Sequence, residues 1–467
     1  MKQIHTEEKR VSFAEEMKAA DFGNLHLTKR YGRMLDAIMQ CPGDSFPDIF
    51  NTEADLEGAY RFLRNPNVTW HKAIASHLNA TVIRAQVAGK ILAIHDTTDF
   101  TFPGEEPREG LGFVNQTTCR GFFGHFAFAV SGDSSRTPLG IVGVETYSRK
   151  GKPKRNPSHR SFQDPNRESL RWGRLVSDVQ SRLNSHTEVI HVMDREADIY
   201  GLLDELCFNN QRFVIRLCYD RALKDLPGTK VSDALQDLKV VCEREVVLSR
   251  RAKNRCNKKE NKTHPPRERR TARLAFSATT VEIKRPHHHN VTHTKALRLN
   301  VIHVEELDPP NAEQKVEWKL ITTEPIQTTE EITEVVDIYR SRWLIEEYFK
   351  VLKTGCNYEK RQLESLQTLL NALALFVPVA HRLLLLRNLS RTTPQLPADC
   401  VLTKIQIEIL LCLPKSKLAH APSVRDALFE IARLGGHIKN NGDPGWLTIW
   451  RGYRKLLLYE VAWSAKK

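Results

Sequence analysis

TEVIHVMD (residues 187–194) and KILAIHDTTDF (residues 90–100) are the stretches of this 467-residue chain whose reading decides the fold. Each is a short apolar run with an aspartate at or near its end, too brief for a helix and lacking the polar alternation of a half-exposed strand. Both read as strands buried on two faces, the kind found in the middle of an α/β sheet. Asp96 and Asp194 are expected at the two strand ends, where open α/β sheets collect reacting groups. Outward from these runs, FFGHFAFAVS (122–131) and PLGIVGVETY (138–147) predict two more strands joined by the turn SGDSSRT. A helix over about 167–183 precedes TEVIHVMD, and a short one over Ala197–Leu206 follows it. This succession predicts an α/β fold around a mixed sheet.

About 150 residues separate Asp194 from Glu346, far more than the roughly 30 of one βαβ unit. Strand-like segments at Lys239–Leu248, Ala272–Ile283, Ala296–Val304 and Val316–Ile321 fill that interval, so a β-rich insertion is expected over about 217–325. A long helix is predicted over about Thr329–Lys353, and a second, apolar nearly all round, over Leu363–Arg387. Residues 1–74 read as small helices. Leu25–Met39 brings Lys29, Arg30 and Arg33 close together, and Ala54–Leu63 ends at the turn Asn65–Pro66–Asn67. The last seventy or so residues read as a separate helical block with a glycine-capped helix end at IARLGG (431–436). The expected division is 1–74, 75–388 and 389–467.

Seventy Lys and Arg stand against fifty-six Asp and Glu, a net charge of +14. The excess is concentrated. Arg250–Arg273 holds eleven basic and two acidic residues, and RKGKPKRNPSHR (149–160) is a second basic stretch. Like charges crowded this closely are relieved by a polyanion, which points to nucleic acid, although a solvated loop accounts for a lone run equally well. Nine cysteines without a CxxC pair fit neither a disulfide framework nor a thiolate zinc site, and suit a reducing cytoplasm. No apolar run approaches the roughly 20 residues that a spanning helix needs, so no membrane span is predicted.

Hard cations such as Mg²⁺ take carboxylate oxygens, and two of them about 3.5–4 Å apart can clamp the attacking and leaving oxygens of a phosphodiester. Asp96 and Asp194 are two such ligands, and Glu346 fits as the third. On a continuous helix through DIYRSRWLIEEYFKVLK (337–353), Tyr339, Arg342, Glu346 and Lys353 fall within an arc of roughly 60 degrees, with Lys350 beside them. An anion, several cations and a phenol on one face form a surface suited to phosphates. An amphipathic helix with a Glu346–Lys350 ion pair accounts for the same spacing. Glu347 points about 100 degrees away and is the weaker candidate.

HDTTDF (95–100), MDREADIYG (193–201) and YRSRWLIEEYFKVLKTG (339–355) resemble the DDE motifs of bacterial insertion-sequence transposases of the insertion-sequence-four family, which includes the transposase of transposon five. The signature Y-x2-R-x3-E-x6-K is matched by Tyr339, Arg342, Glu346 and Lys353. The resemblance extends to GAYRFLRNPNV (58–68), ESLRW (168–172), NNQRFVIR (209–216), WKLITTEP (318–325) and IARLGG, nearly the whole chain.

The resemblance implies a ribonuclease-H-like catalytic core with a β-rich insertion, flanked by an end-binding N-terminal and a dimerising C-terminal helical domain. Asp96, Asp194 and Glu346 would hold two Mg²⁺ ions, with Mn²⁺ as a substitute. The implied reaction is cut-and-paste transposition through nicking, hairpin formation, hairpin opening and strand transfer. DNA contacts are expected at Lys29, Arg30, Arg33 and Arg61, and at Arg216, Trp318, Tyr339, Arg342, Lys350 and Lys353. Trp318 would stack on a base flipped out during hairpin formation, the plainer reading being a half-buried strand tryptophan. The implied partners are double-stranded transposon ends, target DNA and a second copy of the chain, in the bacterial cytoplasm at the nucleoid. Leu456–Leu458 and Val461–Trp463 offer an apolar dimer surface. The more basic loop at 149–166 departs from the family pattern and puts target or flank contacts in question.

Asp99 and Asp198 read as turn-capping or salt-bridging residues. His287, His288 and His289 with His293 read as an exposed tract rather than a zinc site, since consecutive histidines point in different directions. His95 and His125 read as structural or phosphate-adjacent. Two other readings compete: a non-catalytic DNA-binding descendant, and a structure-specific nuclease without strand transfer. The intact carboxylates and the Tyr/Arg/Glu/Lys stripe weigh against the first.

Overall fold

The computed structural model describes residues 20–464 apart from 105–107, 115–118, 150, 152–166, 225–227, 249, 252–264, 288–292, 311–312, 415 and 439–442. Most of both basic stretches, with His288 and His289, lies outside the described residues. In chain order come the helices α1 Leu25–Gln40, α2 Phe46–Ile49, α3 Glu53–Arg64 and α4 Trp70–Ala88. Strands β1 Lys90–Phe102, β2 Gly112–Phe113, β3 Arg120–Ser131 and β4 Pro138–Tyr147 follow. Next are α5 Arg171–Arg182, β5 Glu188–Met193, α6 Tyr200–Phe208 and β6 Arg212–Arg216. The stretch after these holds α7 Val231–Gln236, β7 Cys242–Leu248, β8 Arg270–Lys284, β9 Ala296–Leu307 and β10 Glu317–Thr322. The chain closes on α8 Thr329–Arg340, α9 Trp343–Lys350, α10 Leu366–Thr392, α11 Lys404–Cys412, α12 Val424–Leu434 and α13 Trp446–Ser464.

The chain divides into two compact units. The first comprises Met1–Phe162, Ser177–Glu188 and Trp343–Lys467. Within it β1 pairs antiparallel with β3 from Ile91↔Ser131 to Phe102↔Arg120, and β3 pairs antiparallel with β4. Aromatic side chains of β3 form the seat for α9: Phe126 lies 5.5 Å from the Phe349 ring, and Phe128 stacks 5.2 Å from Tyr348. Helix α10 is the hub. Ser365 caps its start, and Asn371 Nδ2 donates to the carbonyls of Leu63 and Val68, both at 3.0 Å, tying it to the end of α3.

By length and composition α10 is apolar enough to cross a membrane, contrary to the expectation that no run qualifies. Asn371, His381 and Arg382 interrupt the run and hid its length in the sequence. Its apolar window is 83% buried inside the protein. At the other end of the unit, α13 seats Leu456 and Leu457 inward, at 0% and 6% exposure. The apolar triplet read as a dimer surface is thus reduced to Leu458, with Tyr459 exposed beside it.

The second unit comprises Gln163–Val176 and Val189–Arg342. Its strands run in the order β5-β6-β10-β9-β8-β7, with β5 and β6 parallel and the other pairs antiparallel, so the sheet is mixed. Apolar residues of successive strands, among them Phe213, Ile215, Val301 and Ile321, bury against Leu203 and Leu206 of α6 and Trp172 of α5. The β-rich segment is braced by ions as well as by apolar packing. Arg270 of β8 binds Glu306 of β9 and stands 2.6 Å from Glu313, and Glu306 is only 3% exposed.

Two expected elements are corrected. Asp96 does not end its strand; β1 runs on to Phe102, because Thr98, Phe100 and Phe102 keep a buried alternation and pair with β3. The single helix expected over Thr329–Lys353 is two, α8 and α9, followed by a π turn at Val351–Gly355. Ser341 Oγ donates back to the Asp337 carbonyl at 2.8 Å, a local bond that competes with helix propagation. A uniform turn of about 100 degrees per residue therefore does not run from Tyr339 to Lys353.

Candidate active site

Asp96 is half-buried in the middle of β1, its Oδ1 accepting the N–H of Thr97 at 2.8 Å. Strand alternation puts Ile94, Asp96, Thr98 and Phe100 on one face, and Phe126, directly opposite Asp96 across the ladder, belongs to it as well. Since Phe126 packs on Phe349, α9 lies over the face that carries Asp96. Glu346 is half-buried on that helix. His95 and His125 occupy the reverse face, both fully buried, with His125 Nδ1 2.9 Å from Thr97 Oγ1.

Glu347 Oε1 stands 3.3 Å from Arg387 Nη1 and 3.8 Å from Arg391 Nη1, so it is spent on α10. Beyond it, exposed Lys350 ends α9 and Lys353 lies on the π turn. Lys353 Nζ is 3.2 Å from Asp99 Oδ1 and 3.7 Å from Glu359 Oε1. Asp99 is a salt-bridging residue, as read from the sequence. Glu359 was missed, its only sequence signal being a carboxylate six residues beyond the lysine.

In the second unit, Asp194 follows the last residue of β5 and caps a short 3₁₀ turn, Oδ1 accepting the N–H of Glu196 at 2.8 Å. Buried Arg171 steadies that turn, its Nη2 2.5 Å from Glu196 Oε2. Asp198, 1% exposed, accepts from the N–H groups of Cys218 and Tyr219 at 2.7 and 2.8 Å and binds Arg221. It ties the turn after Asp194 to the segment after Arg216, the salt-bridging role expected of it. Arg171 and Arg221 were not anticipated, because their partners declare themselves only in three dimensions.

Tyr339, near the end of α8, is 6% exposed. Burial raises its pKa; the charges of Arg342 and Arg216 oppose the rise, Asp194 adds to it, and Arg216 hydrogen-bonds the phenol. Arg216 Nη2 also donates to the Glu317 carbonyl at 3.0 Å. Half-buried Trp318 meets Tyr339 edge to face, centroids 5.6 Å apart. The structure thus gathers Asp194, Arg216, Trp318, Tyr339 and Arg342 in one neighbourhood. Tyr339, the residue expected at a DNA phosphate, is buried beside Arg216 and Arg342.

Residues 11–68 match the family model Transposase DNA-binding, and residues 167–377 match Transposase DDE domain. The second match contains Asp194, Glu346 and every residue around Tyr339; Asp96 precedes it. The chain is a DDE transposase. The enzyme is accordingly a metal-dependent one that cuts DNA and joins strands.

Among the described residues, no group of three or more His, Cys, Asp or Glu side chains forms a ready metal-holding cluster. His293 is stacked on Phe208 at 3.8 Å. The donor chemistry of Asp96, Asp194 and Glu346, carboxylate oxygens throughout, fits a hard divalent cation. In the DNA-binding match of the enzyme, Lys29 and Arg33 are exposed on α1. Arg30 is paired with Asp55 at 3.0 Å and Arg61 with Glu57 at 2.6 Å. In the β-rich segment Arg270 and Arg273 are likewise ion-paired, while Arg269 is exposed.

Proposed function

We propose that this DDE transposase is a cut-and-paste enzyme of the insertion-sequence-four family, near the transposase of transposon five. Its ribonuclease-H-like core spans 75–388 with the insertion at about 217–325, preceded by an end-binding domain (1–74) and followed by a dimerisation domain (389–467). Asp96, Asp194 and Glu346 would hold two Mg²⁺ ions, with Mn²⁺ as a substitute. Bound Mg²⁺ supplies an activated water and neutralises charge building on phosphorus.

At the transposon end, a water oxygen bonds to phosphorus and the bridging 3′-oxygen leaves as a 3′-OH, the other side keeping a 5′-phosphate. The freed 3′-OH attacks a phosphorus of the opposite strand, forming a hairpin and expelling the flanking strand's 3′-OH; a second water opens the hairpin, and the 3′-OH then attacks a target phosphorus, expelling a target 3′-OH. Arg342, Lys350 and Lys353 bind phosphates around the scissile bond, and Arg216 contacts the end DNA. Tyr339 bonds a backbone phosphate, and Trp318 stacks on the flipped base. The partners are two transposon ends, target DNA and a second protomer.

The observation that carries this reading is the seat of α9, the helix of Glu346, which lies over the strand face of Asp96. Its test is divalent-ion-dependent nicking of DNA bearing the element's inverted repeats. Glu346→Ala, Asp96→Ala and Asp194→Ala are each expected to lose cleavage by on the order of a thousandfold while binding ends normally, since removing metal support removes several kcal/mol of charge stabilisation. Glu347→Ala is expected to cut. Near-normal cutting by Glu346→Ala overturns the ligand assignment.

A further inference from the structure

We infer that Glu359 is a positioning residue for Lys353, fixing the direction in which the lysine presents its ammonium to DNA. The inference rests on the reading of Lys353 as a phosphate-binding lysine. An ammonium on a four-carbon stem is a mobile point charge with three donors and no acceptor. In this fold it is confined: Asp99 Oδ1 at 3.2 Å, Glu359 Oε1 at 3.7 Å and the Phe100 ring centroid at 5.5 Å close in on it. Asp99 accepts one N–H and Glu359 attracts the charge from ion-pair distance, which leaves N–H donors for a phosphate oxygen.

Glu359 is the fixed member of this cluster. Its Oε1 also accepts from the N–H of Thr101 at 2.9 Å and from Thr101 Oγ1 at 3.1 Å. Thr101 belongs to β1, so the carboxylate is bound to the strand that carries Asp96, whatever the lysine does. The turn bearing Glu359 is itself held on both sides. Fully buried Tyr358 donates to the Leu369 carbonyl at 2.6 Å. Asn357, at φ 48°, donates to the Gly43 carbonyl at 2.7 Å, and buried Arg361 donates to the Pro42 and Cys356 carbonyls, both at 2.7 Å. A π turn gives Lys353 no regular helical register, so the direction of its ammonium is set by these partners.

The test is a double-mutant cycle on cleavage of pre-bound end DNA, combining Glu359→Ala and Glu359→Gln with Lys353→Met. Glu359→Ala is expected to slow single-turnover cleavage about tenfold and to add nothing in the Lys353→Met background. Glu359→Gln keeps an oxygen for Thr101 and should recover part of the loss. A second reading needs no activity: reductive methylation of Lys353, followed by mass spectrometry, should speed up in Glu359→Ala relative to the other lysines. A full additional loss in the Lys353→Met background, or an unchanged methylation ratio, overturns the inference. A melting curve shows whether either variant is merely misfolded, in which case Glu359→Gln decides through the methylation ratio. If Lys353→Met cuts at the normal rate, the phosphate role of Lys353 is what fails, and methylation alone then upholds or overturns the hold of Glu359 on the ammonium.

Discussion

The guanidinium of Arg244 grips the carboxylate of Asp337 with two nitrogens, Nη1 to Oδ1 at 2.6 Å and Nη2 to Oδ2 at 3.0 Å. It ties β7, in the β-rich segment, to α8 two residues before Tyr339. The segment thereby braces the helix that carries part of the candidate site. Arg244→Met should cost about 1 kcal/mol of stability, a paired but partly exposed ion. The cleavage rate should fall by more than stability alone explains. Loss of stability with unchanged cleavage of folded enzyme would confine Arg244 to a structural role.

Glu306 supplies a pH dependence. Burial would raise its pKa, but the Arg270 guanidinium and the Val316 N–H hold it below the usual carboxylate value. A depressed carboxylate contributes stability that is present above its unfolded value and lost as pH falls through the folded one. Urea midpoints measured from about pH 7 down to about pH 3 should therefore drop more steeply in the wild type than in Glu306→Gln. Parallel curves would rule out this pair as a source of acid sensitivity.

Neighbouring arginines in that segment should behave differently. Arg269 is exposed, and Arg269→Ala should flatten the slope of log affinity against log salt by up to about 0.9. Arg270→Ala strands a buried carboxylate and should instead destabilise the fold by roughly 3–5 kcal/mol. An unchanged slope in Arg269→Ala would return this arginine to the solvated surface.

Trp318 has two readings that kinetics can separate. If it stacks on a flipped base, Trp318→Ala loses on the order of 1–3 kcal/mol in the hairpin step while the first nick proceeds. Its edge-to-face contact with Tyr339 predicts a loss of about 0.5–1.5 kcal/mol of stability beyond area burial. Equal losses in nicking and melting would make it a packing residue only.

Trans action is tested by mixing. A Glu346→Ala protein retains its end-binding helices, and a protein with Lys29 and Arg33 changed to alanine retains its carboxylates. Arg30 is left intact because its pairing with Asp55 is part of the α1–α3 packing. Cleavage restored only in the mixture supports two protomers acting across each other. A dead mixture of parents that each dimerise would point to a cis arrangement.

The strands were legible because a short apolar run has few ways to bury itself; β4 was bounded correctly and β5 to within a residue at each end. The ends of β1 and of the Thr329–Lys353 helix were not. Polar residues at 96–99 looked like a strand terminus, and nothing local announced that Ser341 would bond back on its own helix.

The sequence by itself determined the α/β class, the mixed sheet and the transposase signature, since these rest on local periodicity and on residues close together in the chain. Tertiary structure alone decided that Glu347 pairs with Arg387, that Arg270 and Arg273 of the basic segment are ion-paired, and what holds Lys353. Lys353 and Asp99 are 254 positions apart, and Arg212 and Glu324 are 112 apart. The energy of such pairs depends on distance and desolvation, and neither exists until the sheets and helices have packed.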